Sequence, residues 1–253
     1  MSGFAADHAG AAVRPSPNFG ERRDGLKPDI IILHYTAMET GIGAEDWLCN
    51  PASEVSAHYL VHEDGRIVQM VREGDRAWHA GAGSWQGQID VNSRSIGIEI
   101  ANPGHRFGYP DFPAKQIDAV IALCRGIVAR HAIGPERVLA HSDVAPGRKI
   151  DPGEKFPWAA LHAAGIGHLV EPVPVRPGPV LAEGDRGESV RKLQAMLADY
   201  GYGLPATGEF DAATTAVVAA FQRHFRPELV DGIADQSTIE TLRALSLPLR
   251  QAV

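Results

Sequence analysis

The chain has 253 residues, a net charge of −7 and an apolar fraction of 44%. That length holds one large domain, or one domain with a small module, and the composition is that of a soluble globular chain with material for a real core. The acidic balance argues against a nucleic-acid partner, which wants a basic face, and no apolar run is long enough for insertion into a membrane.

Residues 1–14 are mostly small and polar, with Phe4 the only large apolar side chain between Met1 and Val13, and are expected to be a flexible N-terminus. They show no basic start followed by an apolar run, so no secretory signal is read there. Ile30-Ile31-Ile32-Leu33 reads as a buried strand ending at His34 and Tyr35. Glu45 to Cys49 reads as one or two helical turns. Val55–Val61 and Arg66–Val71 flank Asp64-Gly65, a hairpin signal. Trp78 to Gln88, rich in Gly, Ala and Trp, is a loop, and Ser95 to Ala101 is another strand. Pro113 opens a helix whose Ile117, Val120, Ile121, Cys124, Ile127, Val128 and His131 share a face. Val138 to His141 is a short strand and Trp158 to Ala164 a closing helix. Strands alternating with helices predict an α/β fold, a mixed central sheet flanked by helices.

Residues 169–180 are proline-rich and read as a semi-rigid spacer. Residues 181–248 then read as a small three-helix domain. Val190, Leu193, Met196 and Leu197 mark its first helix. Asp211 is the N-cap of a second carrying Val217, Val218, Phe221 and Phe225, and a similar turn precedes Ile239, Leu242 and Leu245. Cys49 and Cys124 lack metal-ligand spacing and read as free thiols.

The run from His141 to Gly153 carries the most chemistry. It sets His141 and Asp151 ten positions apart in a segment broken by Pro and Gly, so an imidazole and a carboxylate can face one point. Such donors suit zinc. His34, at the end of a rigid buried strand, is the candidate third ligand; three protein ligands with a fourth position for water is the catalytic zinc pattern.

With these residues stand Leu33-His34-Tyr35-Thr36, Ser56-Ala57-His58-Tyr59-Leu60-Val61, Ala77-Trp78-His79-Ala80-Gly81 and Asn92 to Glu99. Together the five motifs resemble the zinc-dependent N-acetylmuramoyl-L-alanine amidases of the type 2 (AmpD/AmiD) family, over roughly residues 15–165, which places the amidase domain at 15–168. Leu193-Gln194, Gly208-Glu209-Phe210-Asp211, Phe221-Gln222 and Asp231-Gly232 resemble the type 1 peptidoglycan-binding module. The resemblance implies one Zn2+ on His34, His141 and Asp151, and cleavage of the amide between N-acetylmuramic acid, or its anhydro form, and L-alanine. Glu99, between Ile98 and Ile100, points away from the isoleucines and matches the family's general base. Lys149, two residues before Asp151, is placed to stabilise the oxyanion of the tetrahedral intermediate. Tyr35, Trp78, His79 and Asn92 match positions lining the family's substrate groove. His58 reads as structural, Asp143 as an orienter of His141 or a loop cap, and His105 and His224 carry no motif.

Two other readings exist. Recognition proteins keep this fold without catalysis, but they typically lose a zinc ligand, and all three are present here. A different zinc peptidase would show a His-Glu-x-x-His helix, which is missing. The partners implied are peptidoglycan fragments (anhydro-muropeptides) or polymeric murein. The missing signal favours a cytoplasmic recycling enzyme, with periplasmic placement by a non-classical route as the alternative; the C-terminal module favours a wall hydrolase.

Overall fold

The structure, a computed structural model, describes residues 4–251, with side chains as far as Ser246. Its strands are β1 (Ala11–Val13), β2 (Phe19–Gly20), β3 (Ile30–Tyr35), β4 (Tyr59–Val61), β5 (Ile67–Gln69), β6 (Arg76–Ala77), β7 (Ser95–Ile100) and β8 (Val138–Ala140). Its helices are α1 (Gly41–Leu48), α2 (Val91–Arg94), α3 (Ala114–His131), α4 (His141–Val144), α5 (Trp158–Ala163), α6 (Glu188–Tyr200), α7 (Ala212–Phe225) and α8 (Gln236–Gln251). Six strands form one sheet in the order β1-β5-β4-β7-β3-β8, antiparallel only between β4 and β5. This is the mixed α/β sheet expected. Among the described residues no helix is long and apolar enough to cross a membrane.

The period of a strand sorts β3 and β7 onto two faces. Ile31, Leu33, Ile96, Ile98 and Ile100 pack against Val120, Leu123, Cys124 and Ile127 of α3 and Leu161 of α5. The opposite face carries Ile30, Ile32 and His34 from β3 and Ser95, Gly97 and Glu99 from β7. His34 and Glu99 are register partners on neighbouring parallel strands. Both lie at the carboxyl end of their strands, where open α/β sheets place their ligands.

That second face has two covers. Leu48 of α1 packs with Leu60, Val68 and Met70 at one side. At the other, Ile30, Ile32 and Leu139 join a single apolar cluster with Trp85, Val144, Val190, Leu193, Phe221, Leu242 and Leu245. The helical module therefore shares a core with the sheet. Residues 169–180 are irregular as their prolines dictate, but they do not act as a spacer. The Val173 N–H donates to Thr241 Oγ1 at 3.1 Å and its carbonyl accepts from Ser237 Oγ at 2.5 Å, which straps the segment along α8. The exposed half-face of the sheet explains this: three large apolar side chains would otherwise meet water.

The N-terminus departs from the flexible reading of residues 1–14, of which residues 1–3 lie outside the described part. Ala11–Val13 adds to the sheet edge as a parallel strand on β5. Asp7 accepts from Gln69 Nε2 at 2.5 Å and from the Glu73 N–H at 2.9 Å. A three-residue strand held by backbone pairing and one carboxylate leaves almost no hydrophobic pattern to read.

Other elements follow their signals in part: β4 begins at Tyr59 and not at Val55, and His141 opens α4 after β8 has ended at Ala140. Asp211 caps α7 by accepting from Thr214 N at 2.8 Å. The β4–β5 hairpin turns at Gly65, whose φ of 87° suits glycine. Ile117, Val120, Cys124 and Ile127 of α3 face the core as expected, with Leu123 added; Ile121 and Val128 are half-buried at its edge.

Candidate active site

A cleft of about 200 Å³ opens over the carboxyl ends of β3 and β7. His34, Tyr35, Trp78, His79, Glu99, His141, Lys149 and Asp151 line it, with Met38 and Trp47 from α1 and its approach. The strand end supplies His34, the first turn of α4 supplies His141, and the following loop returns Asp151; the Ser142 N–H donates to the Asp151 carbonyl at 3.0 Å.

Three donor atoms converge here. His34 Nδ1 lies 2.9 Å from His141 Nδ1 and 3.1 Å from Asp151 Oδ2, and His141 Nδ1 lies 3.0 Å from the same oxygen. All three side chains are buried. Their far sides decide where the protons sit. His141 Nε2 is 3.0 Å from the Ala80 carbonyl, so it carries the hydrogen and leaves Nδ1 bare. His34 is set by a longer chain. Ser95 Oγ donates to the Val91 carbonyl at 2.7 Å and so accepts from His79 Nε2 at 3.1 Å. His79 Nδ1 is then bare and accepts from His34 Nε2 at 2.9 Å. Two imidazole lone pairs and a carboxylate oxygen therefore face one point with no proton left between them. Such a cluster is repulsive by itself and could hold a metal ion, the cation that resolves it.

Burial and neighbouring charge act on each of these groups. Burial, then the neighbouring His141, lowers His34 to about 4, against the opposing pull of Asp151. Burial and the adjacent imidazoles hold His79 well below the usual histidine range. Burial works to raise Asp151, but hydrogen bonds and positive charge from His141 and His34, when those rings carry a proton towards it, outweigh burial and hold the carboxyl well below its ordinary value, and a cation at the three donors would take over that work. Neutral imidazoles and an ionised carboxylate are the ligand forms a divalent metal needs.

Glu99 is different. Its Oε2 is buried without a hydrogen-bond partner in the protein. Burial and then the Asp151 charge push the carboxyl well above its ordinary value, with Lys149 opposing. A cation bound at the three donors would act in the same sense as Lys149 and draw Glu99 back towards ionisation.

The structure redistributes two of the residues expected to touch substrate. Asn92 is buried and does not line the cleft; its Oδ1 accepts from the His79 and Ala80 N–H groups at 3.2 and 2.9 Å, so it shapes the loop that carries His79. His79 lines the cleft, but both its ring nitrogens are engaged with His34 and Ser95. Tyr35 and Trp78 line the cleft as expected, and Tyr35 Oη meets His105 Nδ1 at 3.0 Å. His58 is structural: its Nδ1 accepts from Gly97 N at 2.9 Å and its Nε2 lies 3.1 Å from the Asp75 carbonyl. Trp47, 46% exposed at the cleft, was not singled out from the sequence, where a Trp in a short helix carries no chemical signature.

Comparison with known proteins bears on this geometry directly. Residues 24–154 match the family described as N-acetylmuramoyl-L-alanine amidase. The chain belongs to this family. Residues 186–242 match a peptidoglycan binding domain family. N-acetylmuramoyl-L-alanine amidase AmiD of Escherichia coli is 36% identical over 232 residues, covering 85% of this chain and 81% of AmiD. Its structure in complex with anhydro-N-acetylmuramic acid-L-Ala-D-gamma-Glu-L-Lys superposes with a TM-score of 0.74 at 34% identity, covering 93% of both chains. AMPDH3 of Pseudomonas aeruginosa, in complex with anhydromuramic pentapeptide, gives a TM-score of 0.73 at 33% identity over 93% of this chain and 96% of that one. The 1,6-anhydro-N-acetylmuramyl-L-alanine amidase AmpD of E. coli is 33% identical over 167 residues, 59% of this chain and 89% of AmpD. This amidase is therefore an enzyme that hydrolyses the amide joining N-acetylmuramic acid to L-alanine, and its C-terminal part matches a second, peptidoglycan-related family.

Proposed function

We propose that this amidase is a zinc hydrolase of muropeptides, acting on anhydro-muramic forms in peptidoglycan recycling or turnover. The observation that carries the reading is the convergence of the bare His34 Nδ1, His141 Nδ1 and Asp151 Oδ2 beside the unpartnered Glu99 Oε2. His34, His141 and Asp151 would hold the ion; two imidazoles and one carboxylate are a donor set zinc accepts with a position to spare. When bound, zinc acidifies a water and polarises a carbonyl oxygen.

The chain's own groups do the rest. Glu99 faces the same cleft from the neighbouring strand and is the general base, taking the attacking water's proton and passing it to the departing L-alanine nitrogen. Its buried, partnerless oxygen is free to accept that proton. Lys149, half-buried in the cleft lining, supplies positive charge to the oxyanion. Tyr35, Trp78 and Trp47 give flat apolar walls against which sugar and peptide can lie. Asn92 and His79 act behind them, holding the loop and the His34 ring. The soluble, anhydro-muramic substrate is favoured by the ligands in two of the full-length structural matches, each an anhydromuramic peptide.

The test is a mass-spectrometric digest of purified anhydro-muropeptide and of intact sacculi, each with and without chelator. Free stem peptide from the soluble substrate, lost on chelation and restored by zinc, is expected. Release from sacculi at an equal rate would assign the enzyme to polymeric wall. Release insensitive to chelator would overturn the metal reading.

A further inference from the structure

Asp143 is fully buried two residues beyond His141. Its Oδ2 accepts from the Ala140 N–H at 2.8 Å, which ties the start of α4 to its own side chain. Its other partners come from the far end of the chain. Tyr202 Oη donates to Oδ1 at 2.7 Å, and His224 Nδ1 donates to Oδ2 at 2.7 Å. His224 is itself clamped between Trp158 and Phe225, with ring centroids 3.6 and 3.8 Å away. The same module grips the loop that carries His79. The Gln86 N–H donates to the Gly201 carbonyl at 2.8 Å, and the Trp85 indole lies so close on Gly201 that a Cβ there would come within 2.5 Å of it. Ser84 N donates to the Val144 carbonyl at 2.8 Å and joins the two loops.

We infer that the C-terminal module is a built-in part of the active-site scaffold, in which Tyr202 and His224 are positioning residues acting through Asp143 on the turn that carries His141. The inference rests on His141 being a metal ligand. Its physical content is that a buried carboxylate must keep its donors. Without His224, Asp143 has to find another partner or move towards water, and α4 moves with it. A ligand nitrogen tolerates about 0.5 Å of such displacement before its geometry is lost.

The experiment uses the full chain as His224→Ala, His224→Asn and Tyr202→Phe. Zinc affinity is read by competition with a chromophoric chelator, alongside thermal unfolding of the metal-free proteins and kcat and KM on a soluble anhydro-muropeptide. His224→Ala is expected to weaken zinc by about 10- to 100-fold, as loss of a supporting contact to a metal ligand does, and to lower kcat while leaving KM nearly unchanged. His224→Asn, whose amide can stand where Nδ1–H stood, is expected to restore most of the zinc affinity. A folded His224→Ala with unaltered zinc affinity and kcat would overturn the inference. Should that variant not fold, Tyr202→Phe decides: it keeps the ring and loses one donor, so weaker zinc supports the inference and unchanged zinc overturns it. A parent chain that binds no zinc would instead overturn the ligand assignment, a distinct result.

Discussion

Glu99 and His34 are cross-strand neighbours on one face, yet the proposed function gives them different work, and substitution should separate them. Glu99→Gln keeps the shape of the side chain and removes its basicity. It is expected to retain one metal ion per chain and to lose about 10²- to 10⁴-fold in kcat. His34→Ala is expected to lose both metal and activity. Metal content by elemental analysis and kcat on the same samples check the pair; an active Glu99→Gln enzyme would remove Glu99 as the base. At this scale the sequence was informative where chemistry demands a residue type. His34, Glu99, His141, Lys149 and Asp151, singled out as sequence candidates, all line the cleft. It was less informative for support. Asn92 and His79 differ from groove residues only in what stands behind them, and that is a three-dimensional fact.

The strand β7 carries a constraint that belongs to the element and not to one residue. A Cβ added at Gly97 would stand 2.4 to 2.6 Å from the His79 ring. The glycine lets an imidazole lie flat on the sheet and reach His34. Gly97→Ala should therefore destabilise the fold by about 1 to 3 kcal/mol through overpacking, with a loss of metal affinity. In a His79→Ala background the same change should cost much less. A urea-unfolding double-mutant cycle measures this coupling, and additive effects would sink the account. From the sequence, Gly97 is simply a small residue in a strand of isoleucines. Elements with strong periodicity, such as α3 and β3, were legible because burial on one face leaves a repeating mark. β1 and the 169–180 strap were not, because backbone pairing and single side-chain bonds leave none.

For the whole molecule, the buried imidazoles couple folding to pH. Burial lowers His34 to about 4 and, with Arg22 second, lowers His58 to about 3. Both take up protons near pH 6.5 once unfolded. Between those values the unfolded metal-free chain binds more protons than the folded one, so stability rises with pH and is lost as pH falls from about 6.5 towards 4. Glu99 works in the opposite sense, since its raised carboxyl holds a proton longer in the folded chain. With His79, which burial also holds well below the usual histidine range, three imidazoles act against one carboxyl, so the net slope is positive. Urea midpoints of the chelated protein between pH 4.5 and 7 should follow that slope. A flat profile would mean that these imidazoles are not neutral in the folded state. A metal ion held by the proposed ligands should steepen the loss, because they would take up protons as it leaves.

By itself the sequence determined the α/β class and the three-helix end, and it singled out His34, His141, Asp151 and Glu99, which the fold brings to one cleft, because each rests on a residue type or period that physics allows few substitutes for. The tertiary structure alone decided how the two parts relate. A half-face of the sheet formed by Ile30, Ile32 and Leu139 needs a cover, and the helical module supplies it. Covering it brings Tyr202 and His224 onto Asp143, residues 59 and 81 positions apart in the chain. No local pattern encodes such a meeting: His224 sits in α7 without a motif, and its partner becomes visible only when the helix is laid on the sheet.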